Sequence, residues 1–536
     1  MPIITGGIWI DKPSIKLELA QVTIPVIFVS LLGAFLKFFR NYPLEKASSL
    51  RFLVFLWSKW VFFNQKKAVL TLVIGSFGVG TLWCFASLFR HWSYHSGAQD
   101  LGIFTSAIWN LVSGHGYISS VKGGMNLFAD HQSPTFWLFA PVFYFFPYSE
   151  TLLVVQAFGL SFGALALRKI SIQYLEKNHW GILLTPILYW AYLPLRNANT
   201  FDFHPEVLML PLFLVCITCL QSQNIKSRIF GFFILILALG CKESAGPVCM
   251  GIGLAYFFNA GPQATLGFTK RLGPVLIILG ILAFYFDTQL VPRFFNNTYV
   301  YNIVYSHFGN DLKDLFFSPF LQPILFWKYI LGYARLKFLF ITLASLCFLP
   351  VFNWRCLLAA LPGYLMPFLS AGDSRVNKIF HYAIEPSVGL FWALPLACLN
   401  FEKFLSIKNI NKKIFLSIWI CFWGFAMFDR SEIFRIRRNI PSSHHMWLTK
   451  VLLPSLQEKT WASSSAIVPH LTHLMWAQEL PALKIGKSEK LVDCVLADDN
   501  MLIINAFHLI YQCNNVKIYE RIPNTCLAHL PMYCVN

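Results

Sequence analysis

Apolar runs of near-membrane length alternate with short polar connections along most of this chain. They fall at about 21–37, 68–89, 151–167, 180–195, 207–221, 229–259 (a hairpin of two), 273–290, 333–351, 356–370, 384–399 and 414–428. A bilayer-spanning helix needs roughly 20 apolar residues, so these runs predict about 12 crossings. Basic connections orient them. The stretch from Arg40 to Lys67, Arg168-Lys169, QSQNIKSR, Lys270-Arg271 and KFLSIKNINKK belong on the cytoplasmic side by the positive-inside rule. Arg375, Lys378 and the basic RSEIFRIRRN fall outside and follow the rule imperfectly. The run Phe136 to Phe146 is short and broken by Pro141. The charge pattern holds only if it does not cross, so it reads as an interfacial or re-entrant segment. The section LRFLVFLWSKWVFF reads as a helix lying on the membrane surface.

The pattern changes after residue 430. WASSSAIVPHL, KLVDCVLADD and VKIYERI alternate like short strands or strand ends among helical pieces. The predicted architecture is an all-α polytopic membrane protein with a small C-terminal α/β extracytoplasmic domain. Residues 1–67 form a first crossing plus a basic cytoplasmic or interfacial segment. Residues 68–429 form the transmembrane domain, with a large external loop at 91–150, and residues 430–536 form the tail domain.

Composition agrees. The 536 residues are 56% hydrophobic and 13% charged, whereas a soluble domain carries about 25% charged residues. The net charge of +18 would suggest nucleic acid in a soluble protein. Here it reads as Lys and Arg spent on cytoplasmic loops, and no nucleic-acid partner is expected. Nine of the 13 cysteines lie at or before Cys421, mostly in apolar runs where Cys packs as a small hydrophobe. That includes the CxxC of Cys216 and Cys219. Cys494, Cys513, Cys526 and Cys534 lie in the polar tail and would form disulfides in an oxidising compartment, in any of three connectivities. The chain has no P-loop or glycine-rich dinucleotide fingerprint.

Ionisable groups near a membrane usually face a cavity or an interface. In this topology Asp100, His115, Asp130, His131, Asp202, His204, Glu206, Lys242, Glu243, Arg375, His381, Tyr382 and Glu385 all collect at the outer side. Each alone reads as a solvated loop residue. Together they suit an outer cavity for a charged or sugar-bearing substrate. Asp100 has the chemistry of a general base toward an attacking hydroxyl. Lys242 and Arg375 have that of a phosphate holder, although Lys242 beside Glu243 also reads as a local charge pair. If FDFHPE is extended, Asp202 and His204 share a face. That pair is a candidate for divalent-cation binding, but it supplies fewer oxygens than a hard cation needs. No metal ligand set and no other cofactor is assigned from the sequence.

The runs QDLGIFTSAIWNLVSGHG, ADHQSPTFWLFAPVFYFFPYSETLLVVQAF, FDFHPEVLMLPL, GCKES and FHYAIEPSVGLFWAL, with SSSAIVPHLTHL, VDCVLADD and VKIYER in the tail, resemble a prokaryotic membrane-protein family, domain of unknown function 2079. The resemblance covers roughly 68–521 and leaves residues 1–67 outside. That family is grouped with membrane glycosyltransferases of the GT-C fold. These enzymes use a lipid-phosphate-linked sugar and an acidic residue in the first large external loop. The resemblance therefore implies a multi-pass protein of the bacterial inner membrane, with membrane lipids and a polyprenyl-phosphate-linked sugar as partners. By that resemblance Asp100 takes the catalytic position; Asp130, His131, Asp202, His204, Glu206, Lys242, Glu243, Arg375, His381 and Tyr382, from the outer polar group above, are the candidates for lining the substrate site. One departure stands out: Gln99, not a second acid, precedes Asp100. A partner acid would come from Asp130 or Asp202. Two other classes remain open. A transporter or flippase of a lipid-linked or anionic substrate would place charges near the middle of discontinuous helices. A non-catalytic scaffold would need the tail but not the outer polar cluster.

Overall fold

The computed structural model describes residues 65–407 except 178, 310 and 311, and, in the tail, 438–472, 476–479, 492–498, 508–513, 516–521 and 526–527. The chain divides into two compact units, 1–70 with 410–430, and 71–409 with 431–536. The description below concerns the second. The crossings expected at about 21–37 and 414–428, and the surface helix of the basic stretch, lie outside the described residues.

Among the described residues four helical stretches are long and apolar enough to span a membrane: Ala68–Trp92, Ser149–Tyr174, Gln263–Phe294 and His381–Ser406. Four shorter apolar stretches accompany them, Pro134–Phe145, Pro205–Leu220, Ala245–Phe257 and Trp354–Leu369. The expected runs are thus interrupted more often than their hydropathy suggests. Proline is one cause, because it removes a helix hydrogen bond and blocks the preceding carbonyl. Pro194, Pro350 and Pro362 each stand at the first or second position of a new helical segment within an expected run. The segment Pro134–Phe145 is a 3-10 turn followed by a short α-helix. At 1.5 Å per residue it reaches about 18 Å, short of a bilayer core of about 30 Å.

The helices that position the site are α1 (Gln65–Trp92), α2 (Ile103–Val112), α3 (Ser149–Ser161), α4 (Gly163–Tyr174), α5 (Leu193–Phe201), α6 (Met209–Leu220), α7 (Ile225–Leu239), α8 (Ala245–Phe257), α9 (Leu266–Tyr285) and α10 (Ile384–Ile407). Helices α8 and α9 touch backbone to backbone. A Cβ on Gly246 would lie 2.7 Å from the Gly280 carbonyl, and a Cβ on Gly253 would lie 2.7 Å from the Gly273 carbonyl. Glycines seven residues apart on both helices create this approach, the small-residue packing by which membrane helices gain dispersion contacts.

The loop 91–150 is an ordered, buried layer. Leu101, Ile103, Phe104, Ala107 and Ile108 are all nearly inaccessible to solvent. A two-stranded hairpin follows, β1 (Ile118–Ser119) against β2 (Met125–Asn126). The tail supplies β3 (Thr460–Ser463), β4 (Trp476–Glu479), β5 (Cys494–Asp498), β6 (His508–Cys513) and β7 (Val516–Glu520), in sheet order β4-β3-β5-β7-β6. Strand β3 runs parallel to β4 and β5, and β7 runs antiparallel to β5 and β6. The three segments read as strand-like from sequence contain β3, β5 and β7. Cys494 and Cys526 form a disulfide, and Cys513 is also disulfide-bonded.

Sheet and loop share one hydrophobic core. Leu101, Phe104 and Ile108 pack in a single cluster with Trp461, Val468, Leu471, Ala477 and Ile518. The open edge of β4 is closed by the loop: the Ser120 hydroxyl donates to the Ala477 carbonyl at 2.8 Å and accepts from the Ala477 N–H at 3.3 Å. An unpaired strand edge is otherwise a pairing hazard.

Candidate active site

The segment Phe201-Asp202-Phe203-His204-Pro205-Glu206 links α5 to α6. Asp202 and His204 are both extended, with φ of -166° and -142°. Period-two geometry sends Asp202 and His204 to one side, and Glu206 follows in the first turn of the 3-10 helix Pro205–Leu208. Phe203, on the other, is fully buried against Phe104, Phe136 and Phe139. Gln156 of α3 holds the strand. Its Oε1 accepts from the His204 N–H at 3.0 Å, and its Nε2 donates to the Asp202 carbonyl at 3.0 Å and the Asn199 carbonyl at 3.2 Å.

Asp100 lies in the first turn of a π-type segment, Ala98–Gly102, that runs directly into α2. Helix starts leave N–H groups unpaired, and here two side chains from far along the chain satisfy them. Asp202 Oδ2 accepts from the Gly97 N–H at 3.0 Å, and Ser465 Oγ accepts from the Ala98 N–H at 3.1 Å. A side chain on Gly97 would begin 3.7 Å from Asp100 Oδ2, 3.8 Å from Asp202 Oδ2 and 3.9 Å from Ser465 Oγ. The two carboxylates and the hydroxyl thus converge on one small hollow.

Asp202 is buried and pairs with Arg90 at 2.5 Å. Burial pushes its carboxyl up, the Arg90 charge pulls it back, and the Asp100 charge raises it again, to about 6. Asp100 is 32% exposed and lies 3.1 Å from His204 Nε2. Burial raises its carboxyl, but the His204 hydrogen bond and the charges of His204, His381 and Arg90 outweigh that and hold it below its ordinary value. The converse holds for His204: burial disfavours the imidazolium, and Asp100 with Glu206 more than restores it. The pair is a carboxylate facing an imidazole biased toward protonation.

His204 stacks on His381 with ring centroids 3.9 Å apart. His381 Nε2 lies 3.1 Å from Glu206 Oε1, and Lys242 pairs with the same carboxylate. Lys242 is therefore bound across the fold to Glu206. Its neighbour Glu243 instead accepts from the Tyr299 hydroxyl at 3.0 Å. Burial disfavours the Lys242 ammonium, but Glu206 and Glu243 hold its pKa above the ordinary value. Beside this group, His131 Nε2 lies 3.1 Å from the Tyr301 hydroxyl and 3.8 Å from Asp130 Oδ2. Asp130 pairs with Lys122 at 3.0 Å. Arg375 lies over the rings of Tyr301 and Tyr382, at 5.5 Å and 5.4 Å.

All eleven residues singled out as site residues thus occur along connected contacts. Asp202, rather than Asp130, is the acid beside Asp100. The Asp202 and His204 pair, weighed as a cation site, splits: Asp202 turns to Arg90 and Gly97, while His204 turns to Asp100 and His381. His115 stands apart, exposed, with its ring 5.8 Å from Trp109. Sequence reasoning missed Arg90, Gln156 and Ser465. A lone Gln in the apolar run 151–167 was a usable signal, and so was an Arg at the outer end of the run 68–89. Ser465 carried none.

An apolar groove of about 350 Å³ adjoins the cluster, lined by Phe139, Phe162, Leu208, Pro211, Leu212 and Leu237 among others. Its wall includes Pro205 and Cys241, the chain neighbours of Glu206 and Lys242.

Apolar helices around a buried cluster of acids, imidazoles and a lysine define a polytopic membrane protein with an ionisable site. The chain belongs to the DUF2079 family of predicted membrane proteins, whose model matches residues 90–464. No curated protein matches it. Among solved structures it is similar to ArnT from Cupriavidus metallidurans bound to undecaprenyl phosphate, with TM-score 0.46 and 10% identity over 86% of this chain and 99% of that one. The same protein in the apo state gives TM-score 0.44 and 11% identity over 85% and 98%.

Proposed function

We propose that this chain is a GT-C-type membrane glycosyltransferase. It takes a sugar from a polyprenyl phosphate and transfers it to an acceptor on the extracytoplasmic face of the bacterial inner membrane. The observation that carries the reading is the apolar groove whose wall includes Pro205 and Cys241, the chain neighbours of the paired Glu206 and Lys242, with His204 and its partner Asp100 in the same cluster. A lipid tail fits a groove with apolar walls, and a phosphate at its end suits the lysine. Lys242 has three N–H donors, so it can serve Glu206 and a phosphate oxygen together.

In the reaction, Asp100 accepts the proton of the acceptor hydroxyl. The oxygen attacks the anomeric carbon, and the bond from that carbon to the phosphate oxygen breaks. Polyprenyl phosphate leaves with the electron pair, and Lys242 and Arg375 balance its developing charge. Asp100 suits the base role because His204 keeps it ionised while it retains exposure. Disulfides in the tail suit an oxidising compartment, in line with the outward side assigned to this cluster.

The test is Asp100→Asn in the native host, with protein level and outer-surface glycan measured together. The expected result is loss of a glycan species at normal protein level. Unchanged glycan would overturn the reading.

A further inference from the structure

His204, Glu206 and His381 present ligand-type atoms that all lie within 4.8 Å of one another, and all three side chains are buried. Glu206 Oε2 and His381 Nδ1 have no hydrogen bond, and His381 Nε2, though 3.1 Å from Glu206 Oε1, is not aligned with it as a hydrogen bond requires. Buried polar atoms are rarely left so. Lys242 accounts for Glu206 Oε1 only.

We propose that these three side chains hold a divalent transition-metal ion, of the zinc type, with one coordination position left open. The donor set decides the class. Two imidazoles and one carboxylate suit zinc or its neighbours, whereas magnesium and calcium want oxygens. Spacing fits as well. Donors at about 2.0–2.1 Å from a tetrahedral ion stand about 3.4 Å apart. His381 Nε2 is 3.1 Å from Glu206 Oε1, and His204 Nε2 is 3.1 Å from Asp100 Oδ1. The widest pair needs to close by about 1.4 Å to reach that geometry, within the reach of small side-chain rotations. The ion would replace the proton that Asp100 and Glu206 favour on His204, since a ligating imidazole is neutral.

The open position faces Asp100, so it would hold water, an anionic oxygen or Asp100 itself. Three protein ligands with a fourth position open is the arrangement of reactive zinc sites, whereas structural sites are closed. The ion is independent of the transferase reading, since a chain with no transferase activity would still bind it.

The test uses the full chain without a histidine tag, in lipid nanodiscs, stripped by chelator and titrated with cobalt(II) and then zinc. Cobalt(II) in a four-coordinate nitrogen and oxygen site absorbs strongly in the visible. The expected result is one saturable equivalent with that spectrum, displaced by one equivalent of zinc. His381→Gln and Glu206→Gln should each weaken zinc at least tenfold. His115→Ala, an exposed histidine outside the cluster, should leave it unchanged. No visible cobalt band on the unmutated protein overturns the proposal, whatever the variants do. Equal affinity in the double variant H381Q/E206Q, shown to be folded by its melting curve, overturns it as well.

Discussion

Arg90 and Asp202 meet at 2.5 Å although 112 residues separate them in the chain. The contact joins the C-terminal end of α1 to the segment that carries His204 and Glu206. Asp202 is 1% exposed, so removing its partner leaves a buried carboxylate uncompensated. Arg90→Ala should cost about 3–5 kcal/mol. The combination with Asp202→Asn should cost less than the two single changes added together, and thermal melting of all three variants reads this coupling.

Gln156 supplies the second support for that segment. Gln156→Leu leaves the His204 N–H and the Asp202 carbonyl without partners. The expected loss is about 2–6 kcal/mol, from two orphaned groups at about 1–3 kcal/mol each. Gln156→Glu keeps the acceptor but not the donor and should fall between. Denaturant or thermal melting in detergent distinguishes the three proteins.

Period-two alternation in FDFHPE made the shared face of Asp202 and His204 legible from sequence, because it is a local property of an extended chain. The acids and histidines were legible as a group, because they fall at the ends of apolar runs on one side of the expected topology, where ionisable groups face a cavity or an interface. Their pairing was not. Lys242 reads as the partner of the adjacent Glu243, yet it takes Glu206, 36 residues away. Chain proximity lost because the turn leading into α8 carries Glu243 toward Tyr299 instead. The helices were legible as apolar runs, but their interruptions depend on where prolines and tertiary contacts break each run.

The general-base role proposed for Asp100 gives a rate prediction. A positioned acid or base contributes about 10²–10⁴-fold. Asp100→Asn should lower turnover by that range without lowering the melting temperature, because Asn still accepts a hydrogen bond from His204. His204→Gln should lower turnover less and shift its pH dependence. Transfer from a synthetic polyprenyl-phosphate sugar, followed at several pH values, measures both.

His131 should make the fold sensitive to acid. Burial lowers its pKa to about 4, with Lys242 and Lys122 adding to the fall and Asp130 and Glu206 opposing it. Between about pH 4 and the ordinary value of 6.5 the unfolded chain binds more protons than the folded one. Stability is therefore fully present above pH 6.5 and declines as pH falls toward 4. The loss amounts to about 3 kcal/mol, because each tenfold change in proton affinity is worth about 1.4 kcal/mol. His131→Phe keeps a ring against Phe104 and Tyr301, and melting temperature against pH should flatten over that window.

The glycine contacts between α8 and α9 should tolerate no side chain. Gly280→Val would drive a side chain into the Gly246 carbonyl, since even a Cβ there lies 2.5 Å from it. The helices must separate, and the variant should lose about 1–3 kcal/mol or more. Gly78→Ala, with open space around its Cβ, is the matched control. Comparing their yields and melting curves checks the prediction.

The bond from Ala98 to Ser465 reaches across 367 positions, and the bond from Ser120 to Ala477 across 357. A ribosome therefore releases nearly the whole chain before the turn bearing Asp100 acquires its last supports, while domains in general fold in the order they emerge. A nascent chain halted after α10 would carry every ionisable residue named in the site and still lack these two supports. Synthesis through Ser465 and Ala477 therefore precedes the closing of these two contacts.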